Sequence, residues 1–148
     1  MSFKYRLEKV LKIREEELDE AILEMKRAEE HLRAVSHQLS VTIEKRNELH
    51  SELIREGISH AILYVRRIKQ LNEQIAKLEK DLQAAQEALI QAKEAVVEAK
   101  MKLEALKRHR LKKQKDFTNE ENRTERIRLD EIGVLKHARE LIESQVEE

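Results

Sequence analysis

Beyond residue 60, apolar residues recur at two interleaved positions seven apart. One series is Ile68, Ile75, Leu82, Leu89, Val96 and Leu103; the other is Leu71, Leu78, Ala85, Ala92, Ala99 and Leu106. Alternating steps of three and four keep these residues on one narrow helical face, which predicts a coiled-coil seam. The first half carries the same code. Leu11, Leu18, Met25, Leu32, Leu39 and Leu53 form one series, with Arg46 as its polar member. Leu7, Ala21, Ala28, Val35 and Leu49 form the other, with Arg14 and Thr42 as polar members. Gly57 interrupts the pattern inside REGISH, and the frame restarts after it. Glycine weakens a helix and readily takes the positive φ of a turn. The pattern therefore predicts an all-α fold, one coiled-coil domain spanning 1–148. Helix 1 is expected over about 4–55, a turn over about 56–60 and helix 2 over about 61–145.

A connection this short makes the two helices antiparallel neighbours. Pairing Leu18 with Ala99, Met25 with Ala92, Leu32 with Ala85 and Leu39 with Leu78 gives residue numbers that always add to 117, centred beside Gly57. Large residues then face small ones, so that the layers interdigitate. In this register Met1 reaches only to about residue 116, and the segment after Phe117 has no partner within the chain. It still carries Ile127, Leu129, Ile132, Val134, Leu135, Leu141 and Ile142. A lone helix cannot bury them, so they are expected to form a docking surface for another protein. Gly133 weakens the helix there, and fraying is expected after it unless a partner orders the segment.

Composition narrows the class. Charged residues are 41% and aromatics 3%, which suits a narrow apolar stripe better than a globular core. Thirty basic and thirty acidic residues cancel, which argues against general nucleic-acid binding. No cysteine is present, so no disulfide framework or thiolate metal site is expected, and no proline breaks a helix. No apolar run is long enough to span a membrane. The opening MSFKYRLEKVLKIREEE has no continuous apolar stretch, so no signal peptide is expected.

Catalytic chemistry finds no foothold. A P-loop needs two glycines ahead of Lys-Ser/Thr, which Gly57 and Gly133 cannot supply. The histidines are His31, His37, His50, His60, His109 and His137; no two lie three or four apart, so no metal pair shares a helical face. His60 and His109 read as solvated. The acidic run Glu15, Glu16, Glu17, Asp19 and Glu20 reads as a solvated face, because without a cleft nothing splits the pKa values of paired acids. No catalytic residue, cofactor or metal is expected, and the chain is not read as an enzyme. Lys107, Arg108, Arg110, Lys112, Lys113 and Lys115 are interrupted by no acid. They form either a solvated basic collar or a contact for an acidic protein surface, an anionic membrane or nucleic acid; among the contacts a protein surface fits best. Arg46 and Lys113 occupy seam positions, as register specifiers or at a fraying end.

Three segments carry a resemblance. Phe3-Lys4-Tyr5-Arg6-Leu7-Glu8-Lys9-Val10-Leu11 with Arg14-Glu15 resembles the start of the FliJ family, coiled-coil proteins of the bacterial flagellar type III export apparatus. Tyr64-Val65-Arg66-Arg67-Ile68-Lys69-Gln70-Leu71 is similar to the start of that family's second helix, and Glu121-Asn122-Arg123 with Leu129-Asp130-Glu131-Ile132 to its C-terminal signature. Gly133 departs from the helix-forming residue expected after the Asp-Glu pair. The resemblance implies a stalk like that of rotary ATPases, monomeric in isolation, cytoplasmic and peripheral at the inner face of the cell membrane. Its implied partners are the hexameric export ATPase, the cytoplasmic domain of the export-gate membrane protein, and export chaperones. By analogy, Phe3, Leu7, Leu11, Arg14, Phe117, Arg126, Leu129, Asp130 and Ile132 would contact the ATPase ring. Gln38, Asn47, Tyr64 and Ile68 would contact the gate, although Ile68 is also a seam residue. The alternatives are the stalk of an injectisome and a non-catalytic coiled-coil scaffold or adaptor.

Overall fold

The structure is a computed structural model and describes residues 2–146. Among these residues the only regular secondary structure is helical. Helix α1 spans Glu8–Glu56, one turn of 3₁₀ helix spans Ile58–His60, and helix α2 spans Ala61–Val146. Gly57 lies between them at φ +73°, the left-handed conformation that commonly ends a helix. Nothing approaches the position a Cβ would take there, so the demand for glycine comes from the backbone alone. Gly57→Ala is expected to lower the unfolding free energy by about 1 kcal/mol in urea titrations, and Gly57→Asn by less. Gly133→Ala should instead raise helicity by circular dichroism, because the same glycine penalty acts inside a helix there.

The chain forms two compact units. One is Arg14–Lys102; the other combines the described residues of 2–13 with those of 103–146. The first unit is the helical hairpin around Gly57. Val35, Ile68, Leu71, Ile75, Leu78, Ala85 and Val96 are buried along its seam. Leu18, Met25, Leu32, Leu39, Leu82 and Leu89 are half-buried in the same series. Half-burial is what two helices allow, since each covers the other's stripe from one side only. The apolar residues off the seam, such as Leu23, Ile90, Val97 and Met101, are exposed. Thr42 is buried as a polar seam residue, and its hydroxyl donates to the Gln38 carbonyl at 2.7 Å. That bond within its own helix satisfies the hydroxyl without a partner across the seam. Arg46 Nη1 donates across the seam to Asn72 Oδ1 at 3.3 Å, joining residues whose numbers add to 118.

Two features depart from the sequence pattern. α1 starts at Glu8 rather than near residue 4; residues 2–5 are not helical and lead into a turn at 6–7. The Glu8 amide donates to the Tyr5 carbonyl at 3.3 Å, and the first helical bond follows from Leu11 N–H to the Leu7 carbonyl at 2.9 Å. α2 passes through Gly133 without a positive φ and is helical to Val146. One glycine costs a helix about 1 kcal/mol relative to alanine. The good helix formers around it, including Glu131, Leu135 and Lys136, offset that cost.

Candidate functional site

The second unit is where chemistry-bearing side chains converge. The segment before α1 is laid against α2 rather than coiled into another turn. The Phe3 and Phe117 rings meet with centroids 5.6 Å apart and planes tilted by 49°. Tyr5 is buried, and its ring lies 5.6 Å from that of His109 at 53°. A 2.6 Å hydrogen bond joins the Tyr5 hydroxyl to His109 Nδ1. Arg110 Nε donates to Glu8 Oε2 at 3.1 Å, an exposed ion pair contributing a few tenths of a kcal/mol at most. Leu11 and Leu103 are buried in the same unit. Extended backbone advances about 3.3 Å per residue against about 1.5 Å in a helix. The short entry segment can therefore reach as far along α2 as Phe117.

Phe117 is the last half-buried residue of α2; residues 118–146 are exposed throughout. Ile127, Leu129, Ile132, Val134, Leu135, Leu141 and Ile142 expose between 50% and 69% of their surface. Asp130, Glu131, Val134 and Leu135 border a shallow groove beside Ile127. Among the described residues no group of three or more His, Cys, Asp or Glu side chains could hold a metal ion. Among the described residues no helix is long and apolar enough to cross a membrane.

The residues singled out for a ring contact are placed unevenly. Phe3 and Phe117 are brought together. Leu7 is half-buried beside them, and Leu11 is 7% exposed, so it supports the surface from beneath rather than offering itself to a partner. Arg14 belongs to the other unit and donates to Glu17 Oε2 at 2.9 Å. Arg126, Leu129, Asp130 and Ile132 stand exposed on the unpaired end of α2.

The gate candidates do not form one surface. Ile68 is 7% exposed in the hairpin seam and is unavailable to a partner while the hairpin is folded. Gln38 is exposed beside a polar groove that includes His37, Lys45 and Arg67. Asn47 is exposed, nine residues along α1, which is about 13 Å by helical rise. Tyr64 is half-buried and donates from its hydroxyl to Glu56 Oε2 at 2.8 Å. The bond to that carboxylate, then desolvation, then the charges of Glu56 and Glu52 push the Tyr64 phenol above its usual value.

Sequence reasoning missed Tyr5 and its bond to His109. A test of His spacing looks for a second histidine, whereas the partner here is a tyrosine 104 residues away. His109 is exposed, as its sequence context suggested, but its ring also engages Tyr5. Arg110 continues the seven-residue series from Leu103, and Phe117 follows it by another seven; that continuation was the available signal.

The comparisons with known proteins bear on this arrangement. No curated protein matches the chain. A solved structure, described as a YscO homologue from Chlamydia trachomatis, shares the fold with a TM-score of 0.78 at 21% sequence identity, covering 92% of this chain and 96% of that one. The sequence profile described as flagellar FliJ protein matches residues 3–141. That match takes in the aromatic entry segment, both helices and most of the exposed end of α2, and the chain belongs to the FliJ family.

Proposed function

We propose that this chain is a non-catalytic, stalk-like component of the type III protein export apparatus that serves flagellum assembly. In this reading it promotes assembly and activity of the hexameric export ATPase and links that ring to the export gate at the inner face of the membrane. Family membership supports the export apparatus as the setting. The observation that carries the finer reading is the stretch 118–146, a helix with eight large apolar residues exposed and nothing among the described residues to cover them. Exposed apolar residues on a helix without a partner are what a docking surface looks like before its partner arrives.

The aromatic contact and the exposed end of α2 belong to the same unit, and together they would engage the ring. Phe3, Leu7, Phe117, Arg126, Leu129, Asp130 and Ile132 supply that surface, with Leu11 as its support. An asymmetric insert in a ring touches successive subunits differently. It can therefore bias their nucleotide states only by binding those states with different affinity. Gln38, Asn47 and Tyr64 are the remaining candidates for the gate, and export chaperones are further partners. The test is the steady-state ATP hydrolysis rate of the cognate export ATPase with and without the full chain. Severalfold stimulation together with ring formation is expected. An unchanged rate and unchanged ring population would leave a passive scaffold as the better account.

A further inference from the structure

We propose that the cleft where the entry segment meets α2 binds an acidic peptide segment carrying an apolar side chain. The cleft has a volume of about 700 Å³, and its rim presents Lys4, Arg6 and Lys113, with His109 beside them. Its floor is apolar and aromatic, with Phe3 and Phe117 at one side. Among the described residues no acid lines it. Among the described residues Lys4, Arg6 and Lys113 have no carboxylate partner, while nearby Arg110 is taken by Glu8. The charge is local. Residues 2–13 and 103–117 hold ten Lys and Arg against three Asp and Glu, in a chain whose formal net charge is zero. Like charges this dense cost stability in the free protein. A ligand bearing carboxylates would relieve that repulsion, and Arg6 offers a fork suited to a carboxylate.

The apolar floor selects among anions. A single-stranded nucleic acid needs free aromatic faces for its bases. Here Phe3 packs on Phe117 and Tyr5 on His109, so much of that surface is already occupied. A lipid surface is broad and takes projecting apolar groups. In this cleft Lys4, Arg6 and Lys113 are exposed and make the rim, whereas Phe3 and Phe117 are half-buried and Tyr5 is buried. A peptide can place one leucine or phenylalanine on the floor while flanking carboxylates meet the rim. The inference rests on the proposed function only for the source of the segment, an acidic loop on a subunit of the ring.

The test is fluorescence anisotropy with the full chain and a fluorescein-labelled peptide, Glu-Asp-Leu-Glu-Phe-Asp, at about 50 mM salt, where screening is modest. Saturable binding is expected. It should weaken at least about tenfold when Lys4→Glu, Arg6→Glu and Lys113→Glu are combined. It should also weaken about tenfold when the peptide's Leu and Phe become Ser. The triple Gln variant, with helicity checked by circular dichroism, should give an intermediate loss. Equal binding of the Ser peptide, or no loss in either triple variant, would overturn the proposal. So would preferential, rim-dependent binding of oligothymidylate or of phosphatidylserine vesicles. ATPase stimulation measured in parallel separates the two readings. Stimulation without peptide binding sinks the cleft alone, whereas peptide binding without stimulation upholds the cleft and sinks the role at the ring.

Discussion

A chain ended after Phe117 is expected to lose its stimulation of the export ATPase while its hairpin unfolds at the same denaturant concentration as the full chain. Both halves of this expectation come from burial. Residues 118–146 are exposed throughout, so removing them leaves the seam intact, and the contact between Phe3 and Phe117 survives. Binding is another matter. Interface energy concentrates in a few well-buried side chains at about 2 kcal/mol or more each. Loss of two such anchors among the exposed apolar residues would weaken docking by roughly a thousandfold. A double substitution, Leu129→Ser with Ile132→Ser, should reproduce much of the loss in the full-length chain. Coupled ATPase assays over a titration of each variant make the comparison. Equal stimulation by the truncated chain would remove the overhang from the mechanism.

The largest effect on stability is expected from Leu71→Ala. Leu71 is 2% exposed, the deepest apolar side chain of the seam, with Ile68, Ile75 and Leu78 also buried beside it along α2. Truncating such a leucine costs about 2–5 kcal/mol, from lost transfer energy and from the cavity left behind. The total stability of most domains is only about 5–15 kcal/mol, so this one change would remove a large share of it. Ile90→Ala is the matched control. Ile90 lies on the same helix but is 57% exposed, and its truncation should cost no more than about 0.5 kcal/mol. Urea titrations followed by circular dichroism give both numbers. Similar costs at the two positions would mean that the seam does not run where the structure puts it.

The seam was readable because a seven-residue period leaves little choice about which side chains face inward. Ile68, Leu71, Ile75 and Leu78 follow from spacing alone, and Gly57 marks the reversal because few other residues tolerate a positive φ. The entry segment was not readable in this way. Phe3 and Tyr5 sit among residues that would join a helix on propensity, but their rings gain more by packing on Phe117 and His109 than by adding one helical turn. That choice is made across more than a hundred residues of sequence, where local pattern carries no information. At Gly133 the local penalty pointed to fraying, whereas the surrounding run of good helix formers carries α2 through it to Val146. Ile68 shows the limit of motif reasoning for sites. A residue can belong to a family signature because it packs, and its burial takes it out of reach of a partner.

The layered seam of Arg14–Lys102 has a consequence for how this unit comes apart. A globular core fails together because each side chain touches many others. In the hairpin, a two-helix seam gives each buried residue, such as Val35, neighbours mainly in the layers directly above and below it. Cooperativity is then passed between neighbours along one dimension, as in repeat proteins. Backbone amides should exchange with solvent at graded rates, with protection greatest around Leu71 to Ala85 and falling away on either side. Such a molecule can loosen locally without unfolding as a whole.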